Sequence, residues 1–103
     1  MQTIGEILRA KREEKNLLLR QVSALLDIDQ AILSKIERGE RPASKEIVVK
    51  LAEIYKINRD ELISQFISEK IAYEIYTEKC ALHSLKLAEK KIKYLKSNKD
   101  GKI

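Results

Sequence analysis

The chain has 103 residues, with 21 Lys+Arg against 16 Asp+Glu, a formal charge of +5, one Pro, three Gly, one Cys and no Trp. That length holds one small domain with an appendage, and the wealth of Ala, Leu, Ile, Glu and Lys beside so few helix breakers makes it all-α. No apolar run nears the ~20 residues of a membrane span, the N-terminus lacks a basic-then-apolar leader, and a lone Cys80 cannot close an internal disulfide, so a reducing cytoplasm is expected.

In chain order, Thr3-x-x-Glu6 has the form of a capping box and predicts a first helix, with Ile4, Ile7, Leu8 and the stem of Lys11 facing inward. Leu17, Val22, Leu25 and Leu26 fit one face of a second helix, from about Leu19 to Leu26, and Ile28 falls in a turn. Asp29 is placed to cap a third helix that carries Leu33 and Ile36 three apart and ends at Gly39, a residue that tolerates a left-handed backbone. Arg41-Pro42-Ala43 must be extended or turned, because proline restricts the residue before it. Ser44 caps a fourth helix, whose Ile47, Val48, Leu51, Ala52 and Tyr55 recur at helical spacing. Asn58 caps a fifth, where Leu62, Ile63 and Phe66 complete the core of a domain over residues 1–66. The remainder, 67–103, reads as a helical extension. Ile71, Ala72, Ile75 and Tyr76 make one stripe; Ala81, Leu82, Leu85, Ala88, Ile92 and Leu95 make another, with a break near Thr77-Glu78. Positions 85, 88, 92 and 95 alternate by three and four, the pattern of a helix seeking a partner face. Lys96 to Lys102 has no apolar content and is expected to fray.

Leu17 to Gly39 describes two short helices joined by a tight turn, the build of a helix-turn-helix whose second helix enters the DNA major groove. With Leu33 and Ile36 inward, Gln30, Ala31, Ser34 and Lys35 point outward. An amide at Gln30 can bond adenine N6 and N7, Ala31 can meet a thymine methyl, and Lys35 can reach guanine acceptors or a phosphate. Ser34 is small and suits a phosphate contact. Arg38 and Arg41 flank Gly39; like charges crowded there either await a polyanion or form a solvated loop balanced by Glu40. Ser44, at a helix N-terminus, offers its hydroxyl and nearby N–H groups to a phosphate. Residues 1–66 hold 12 Lys+Arg against 11 Asp+Glu, and 67–103 hold 9 against 5. The reading domain is thus nearly neutral, and Arg20, Lys35, Arg38, Arg41 and Lys45 must share a face to attract phosphate.

The run from Ile28 to Gly39, IDQAILSKIERG, resembles the signature of the Cro/phage-repressor (Xre) family of bacterial regulators. The likeness reaches from Ile4 to about Ile63, through Leu8-Arg9, Arg12-Glu13-Glu14, Leu51-Ala52 and Asp60-Glu61-Leu62. It implies a five-helix lambda-repressor-like helix-turn-helix domain followed by the helical extension. The implied function is sequence-specific regulation of transcription, with the helix 30–38 in the major groove of a palindromic double-stranded DNA operator. Gln30, Ala31 and Lys35 would face bases; Arg20, Ser34, Arg38, Arg41 and Ser44 would face phosphates. The family pattern also implies a partly buried ion pair between Glu37 and Arg12 that fixes the first helix against the third. Regulation would proceed by occupying promoter DNA or by touching RNA polymerase, and small restriction–modification controllers are the first choice among similar proteins. Two positions depart from the family. Leu19 stands where many members have Gln, preceded by Leu18 instead of a capping Ser or Thr, so one phosphate contact is lost or passes to Arg20. Asp27 stands at the usual glycine of the turn, where a positive φ costs some strain.

Catalysis is not expected. His83 and Cys80 are the only residues of their kinds, so metal clusters and Cys–His or Ser–His–Asp sets lack their parts, and there is no glycine-rich phosphate loop. Neither metal nor cofactor is called for. The extension has three readings: a homodimer interface, favoured because such regulators bind half-sites one helical turn (~34 Å) apart; a brace on its own domain; or a docking arm for a partner protein. The rival to a DNA regulator is an antitoxin or adaptor, the same fold used to grip another protein.

Overall fold

The computed structural model describes residues 1–98, which form six helices: α1 (Ile4–Glu14), α2 (Leu19–Leu26), α3 (Gln30–Glu37), α4 (Lys45–Ile54), α5 (Arg59–Ile75) and α6 (Ala81–Ser97). The chain divides into two units, Met1–Lys70 and the segment from Ile71 onward. By sequence α5 contributes to both, since it does not stop at Phe66.

In the first unit the helix starts follow from local side-chain chemistry. Thr3 and Glu6 close a reciprocal capping box, with Thr3 Oγ1 accepting from the Glu6 N–H at 3.1 Å and Glu6 Oε1 accepting from the Thr3 N–H at 2.9 Å. These bonds hold the Glu6 carboxyl below its ordinary range. Asp29, Ser44 and Asn58 accept from Ala31, Ile47 and Glu61 N–H groups in the same way. The second helix has no such cap. Leu18 offers no acceptor, and only the return bond forms, from the Leu18 N–H to Gln21 Oε1 at 2.8 Å.

The helix ends share another device. Asn16, Asp27, Gly39 and Lys56 all have positive φ, between 54° and 75°. In each case the next residue's N–H reaches back five residues: Leu17 to Arg12, Ile28 to Ser23, Glu40 to Lys35 and Ile57 to Ala52, at 2.9–3.1 Å. Leu17, Ile28 and Ile57 then pack against the core. Only one of the four left-handed positions is a glycine, so the other three carry strain of the kind predicted for Asp27.

The core comprises Leu8, Val22, Leu26, Leu33, Ile36, Val48, Leu51, Ala52, Tyr55, Leu62 and Phe66. The sequence pattern placed Leu25 with them, but it is 65% exposed. On α2 the inward arc is set by Val22 and Leu26, and the residue that shares it is Ser23, whose hydroxyl is satisfied by the Arg20 carbonyl. Leu25 sits about 60°, a sixth of a turn, outside that arc. Against the core, α2 packs on α3 and α4, and α1 packs on α3. At that last contact Gly5 is buried, and a Cβ there would lie 2.5 Å from the Ile36 carbonyl oxygen and 2.6 Å from that of Glu37. At the N-terminus of α1, the Ile4 N–H donates to Glu69 Oε1 at 2.9 Å, so α5 beyond Phe66 still serves the first unit.

The second unit contains the end of α5, a turn over residues 76–80, and α6. The predicted break near Thr77-Glu78 falls in this turn, where Glu78 and Ala81 make short-range backbone bonds to Ile75 and Glu78. No residue of α6 is buried. The helix runs through Lys96 to Ser97, into the segment expected to fray, and Lys99–Lys102 of that segment lie outside the described residues.

Candidate nucleic-acid interface

The two helices of the motif occupy Leu19–Leu26 and Gln30–Glu37, with the left-handed Asp27 turning the chain between them. Leu33 and Ile36 anchor α3 in the core, which fixes what the helix shows outside. Gln30, Ala31 and Lys35 are exposed, and Ser34 is half-buried at the edge of the same face. One short side chain, one methyl, one amide and one flexible cation give a surface low enough for a groove floor and rich in directional donors.

The acid on α3 is turned away from this face. Glu37 is buried, and Arg12 from α1 holds it with two parallel bonds, Nε to Oε2 at 2.8 Å and Nη2 to Oε1 at 3.0 Å. The side chains are only 11% and 4% exposed. The third guanidinium nitrogen, Nη1, donates to the Leu17 carbonyl at 2.8 Å, so one arginine ties α3 to α1 and to the loop that leads into α2. Hydrogen bonding to Glu37 raises the Arg12 pKa above its ordinary value. Tyr55 lies beside it. Burial pushes its phenol well above the ordinary value, and its hydroxyl has no hydrogen-bond partner among the described residues.

The cations on or close to the motif in sequence fall into two sets. Arg38 is engaged: Nε donates to Glu40 Oε2 at 2.8 Å and Nη1 to Ser34 Oγ at 2.9 Å. The arginine holds the Glu40 carboxyl below its usual range, with Lys35 adding to the effect. Ser34 acts as acceptor here and keeps its own hydroxyl proton to donate. Arg20, Lys35, Arg41 and Lys45 are exposed and make no ion pair among the described residues. Ser44 is exposed and caps α4 through its hydroxyl oxygen, accepting from the Ile47 N–H at 3.2 Å.

Two residues matter to this geometry in ways that the sequence does not announce. Gly5 lets α1 approach the last turn of α3, and its signal was a glycine inside an otherwise good first helical turn, where it costs roughly 1 kcal/mol of helix propensity. Tyr55 was placed in the core, yet its nearness to Arg12 and Glu37 is a tertiary fact with no local signature.

The helix-turn-helix family pattern matches residues 8–62. The HTH-type transcriptional repressor RghR of Bacillus subtilis (strain 168) is 39% identical over 64 residues, which cover 61% of this chain and 47% of that protein. The match thus spans about half the length of that relative. No solved structure matches the chain.

Proposed function

As this chain belongs to the helix-turn-helix family, among the DNA-binding transcriptional regulators of the Xre type, we propose that it represses transcription by seating α3 in the major groove of a two-fold-symmetric operator. The observation that carries this is the division of charge around α3. Its acid is neutralised inward by Arg12, while Arg20, Lys35, Arg41 and Lys45, on or close to the motif in sequence, are exposed and make no ion pair among the described residues. A nearly neutral domain binds a polyanion only if its cations are sorted in this way.

Gln30 reads an adenine edge through its amide, Ala31 packs on a thymine methyl, and Lys35 reaches guanine acceptors or the adjacent phosphate. Arg20, Arg41 and the N-terminus of α4 with Ser44 fix the register on the phosphates. Arg38 joins them by exchanging Glu40 for a phosphate, and Ser34 donates its free proton. Two copies on half-sites about one helical turn (~34 Å) apart account for a palindromic site. The protein works in the cytoplasm without a cofactor.

The test is selection of random duplex DNA by the purified chain at about 0.15 M salt, where non-specific binding is suppressed. A two-fold-symmetric site should be enriched. The double variant Gln30→Ala, Lys35→Ala should bind that site roughly tenfold to a hundredfold less well per lost base contact, with little change on unrelated DNA and an unaltered melting curve. No enrichment by protein shown to be folded would end this reading.

A further inference from the structure

We propose that α6 closes on the α6 of a second copy of this chain in antiparallel register, through Ala81, Leu85, Ala88, Ile92 and Leu95. The inference rests on the two-copy reading above and assigns the surface through which the copies meet. The five residues follow one another at intervals of four, three, four and three over the length of the helix. That is an unbroken a/d seam, with Leu82 on its edge, and it fits another helix lying nearly along it. The seam is open in the single chain: Leu85, Ile92 and Leu95 are 41%, 51% and 47% exposed. A 17-residue helix with no buried side chain has little to hold it together.

The seam is its own complement in one direction only. Run antiparallel, Leu85 meets Leu95 of the second copy and Ala88 meets its Ile92, so small faces large in the middle layers. Run parallel, alanine would face alanine and isoleucine isoleucine, leaving a gap beside a bulge, which dense packing penalises. The seam itself is free of charge, although the helices as wholes repel one another. Of the five lysines on α6, Lys86, Lys90 and Lys93 fall on positions that point away from such a seam. Glu89, on its flank, is already paired with Lys93 at 3.6 Å. Lys91 faces Lys91 of the second copy near the axis, and each helix carries five lysines against one glutamate. Added salt should therefore tighten this association, opposite in sign to its effect on DNA binding. Two helices of this length bury less than the ~800 Å² per partner of a standard interface, so a dissociation constant in the micromolar range is expected.

Sedimentation of the full chain from about 5 to about 500 µM brackets that constant. A monomer–dimer equilibrium is expected, and Ile92→Lys should abolish it while the melting of the chain between Met1 and Lys70 is unchanged. A chain that stays monomeric throughout, or an Ile92→Lys variant that dimerises as before, overturns the proposal. Direction is read by disulfide trapping in a Cys80→Ser background. Leu85→Cys mixed with Leu95→Cys should cross-link, and Leu85→Cys alone should not; cross-linking of Leu85→Cys with itself overturns the antiparallel register. A dimer that forms through α6 but enriches no DNA site would leave the seam standing and remove the operator reading instead.

Discussion

Between Met1 and Lys70, α1 to α4 and the first part of α5 bury one face each in a core of eleven side chains, whereas between Ile71 and Asn98 no side chain is buried at all. The difference is not one of apolar periodicity. Ile71, Ile75, Leu85, Ile92 and Leu95 recur at helical spacing as regularly as Val22, Leu26, Leu33 and Ile36 do. What separates the units is closure. In the first, four helix ends turn through a left-handed residue, three of these turns drive an apolar residue back onto the core, and an arginine stitches three segments together. Among the described residues of the second, there is no left-handed residue and no buried ion pair. Periodicity specifies which face of a helix is apolar; closures specify what that face meets.

The largest expected effect that tests this contrast is at the Arg12–Glu37 pair. Arg12→Met or Glu37→Gln leaves a buried group without its partner, and either should cost about 3–5 kcal/mol in urea unfolding. Arg12→Met combined with Glu37→Leu should recover much of that loss, because no lone charge remains. An exposed pair such as Lys93–Glu89 in the second unit should yield less than about 1 kcal/mol when broken. If the two pairs cost the same, the first unit is not held by its stitches.

Next in size is Gly5. The atoms a new Cβ would meet are backbone oxygens of Ile36 and Glu37, which cannot swing aside as a side chain would. Gly5→Ala should therefore push α1 from α3 and cost about 1–3 kcal/mol, although alanine is the better helix former. A stabilised Gly5→Ala, measured by thermal melting, would mean that α1 packs less closely on α3 than the structure has it.

These two sites also mark how far the sequence could be read. The starts of α1, α3, α4 and α5 were legible because a capping side chain acts within three residues of itself, as Thr3, Asp29, Ser44 and Asn58 do. The exposed face of α3 was legible because Leu33 and Ile36 fix the rotation of a short helix. Leu25 was misplaced because an apolar residue beside a true inward pair looks the same as one within it, while Ser23, which occupies the arc, shows no apolar signal. The close approach at Gly5 and the seat of Tyr55 beside Arg12 and Glu37 depend on how distant segments pack, and nothing local announces them. The pairing of Arg12 with Glu37 spans 25 residues and was expected only through family likeness. The engagement of Arg38 by Glu40 was visible as one of two options, since acid and base lie two apart, but the third partner, Ser34, was not.

The smallest expected effect concerns the strain that the closures carry. Lys56 ends α4 at φ 54°, a conformation in which an ordinary side chain crowds its own carbonyl, at roughly 1–2 kcal/mol. Glycine removes that crowding but has more freedom to lose on folding, so Lys56→Gly should gain only about 1 kcal/mol, a rise of a few degrees in melting temperature. Asp27→Gly should gain less, because aspartate tolerates the left-handed region better than lysine does. The same replacement at Lys90, in the middle of α6, should lower helix content, because glycine there relieves nothing and removes helix propensity. Opposite signs for one chemical change at the two places would show that the first unit tolerates strained residues because its turns lead into a core. Equal signs would mean that the left-handed turns are not what distinguishes the two units.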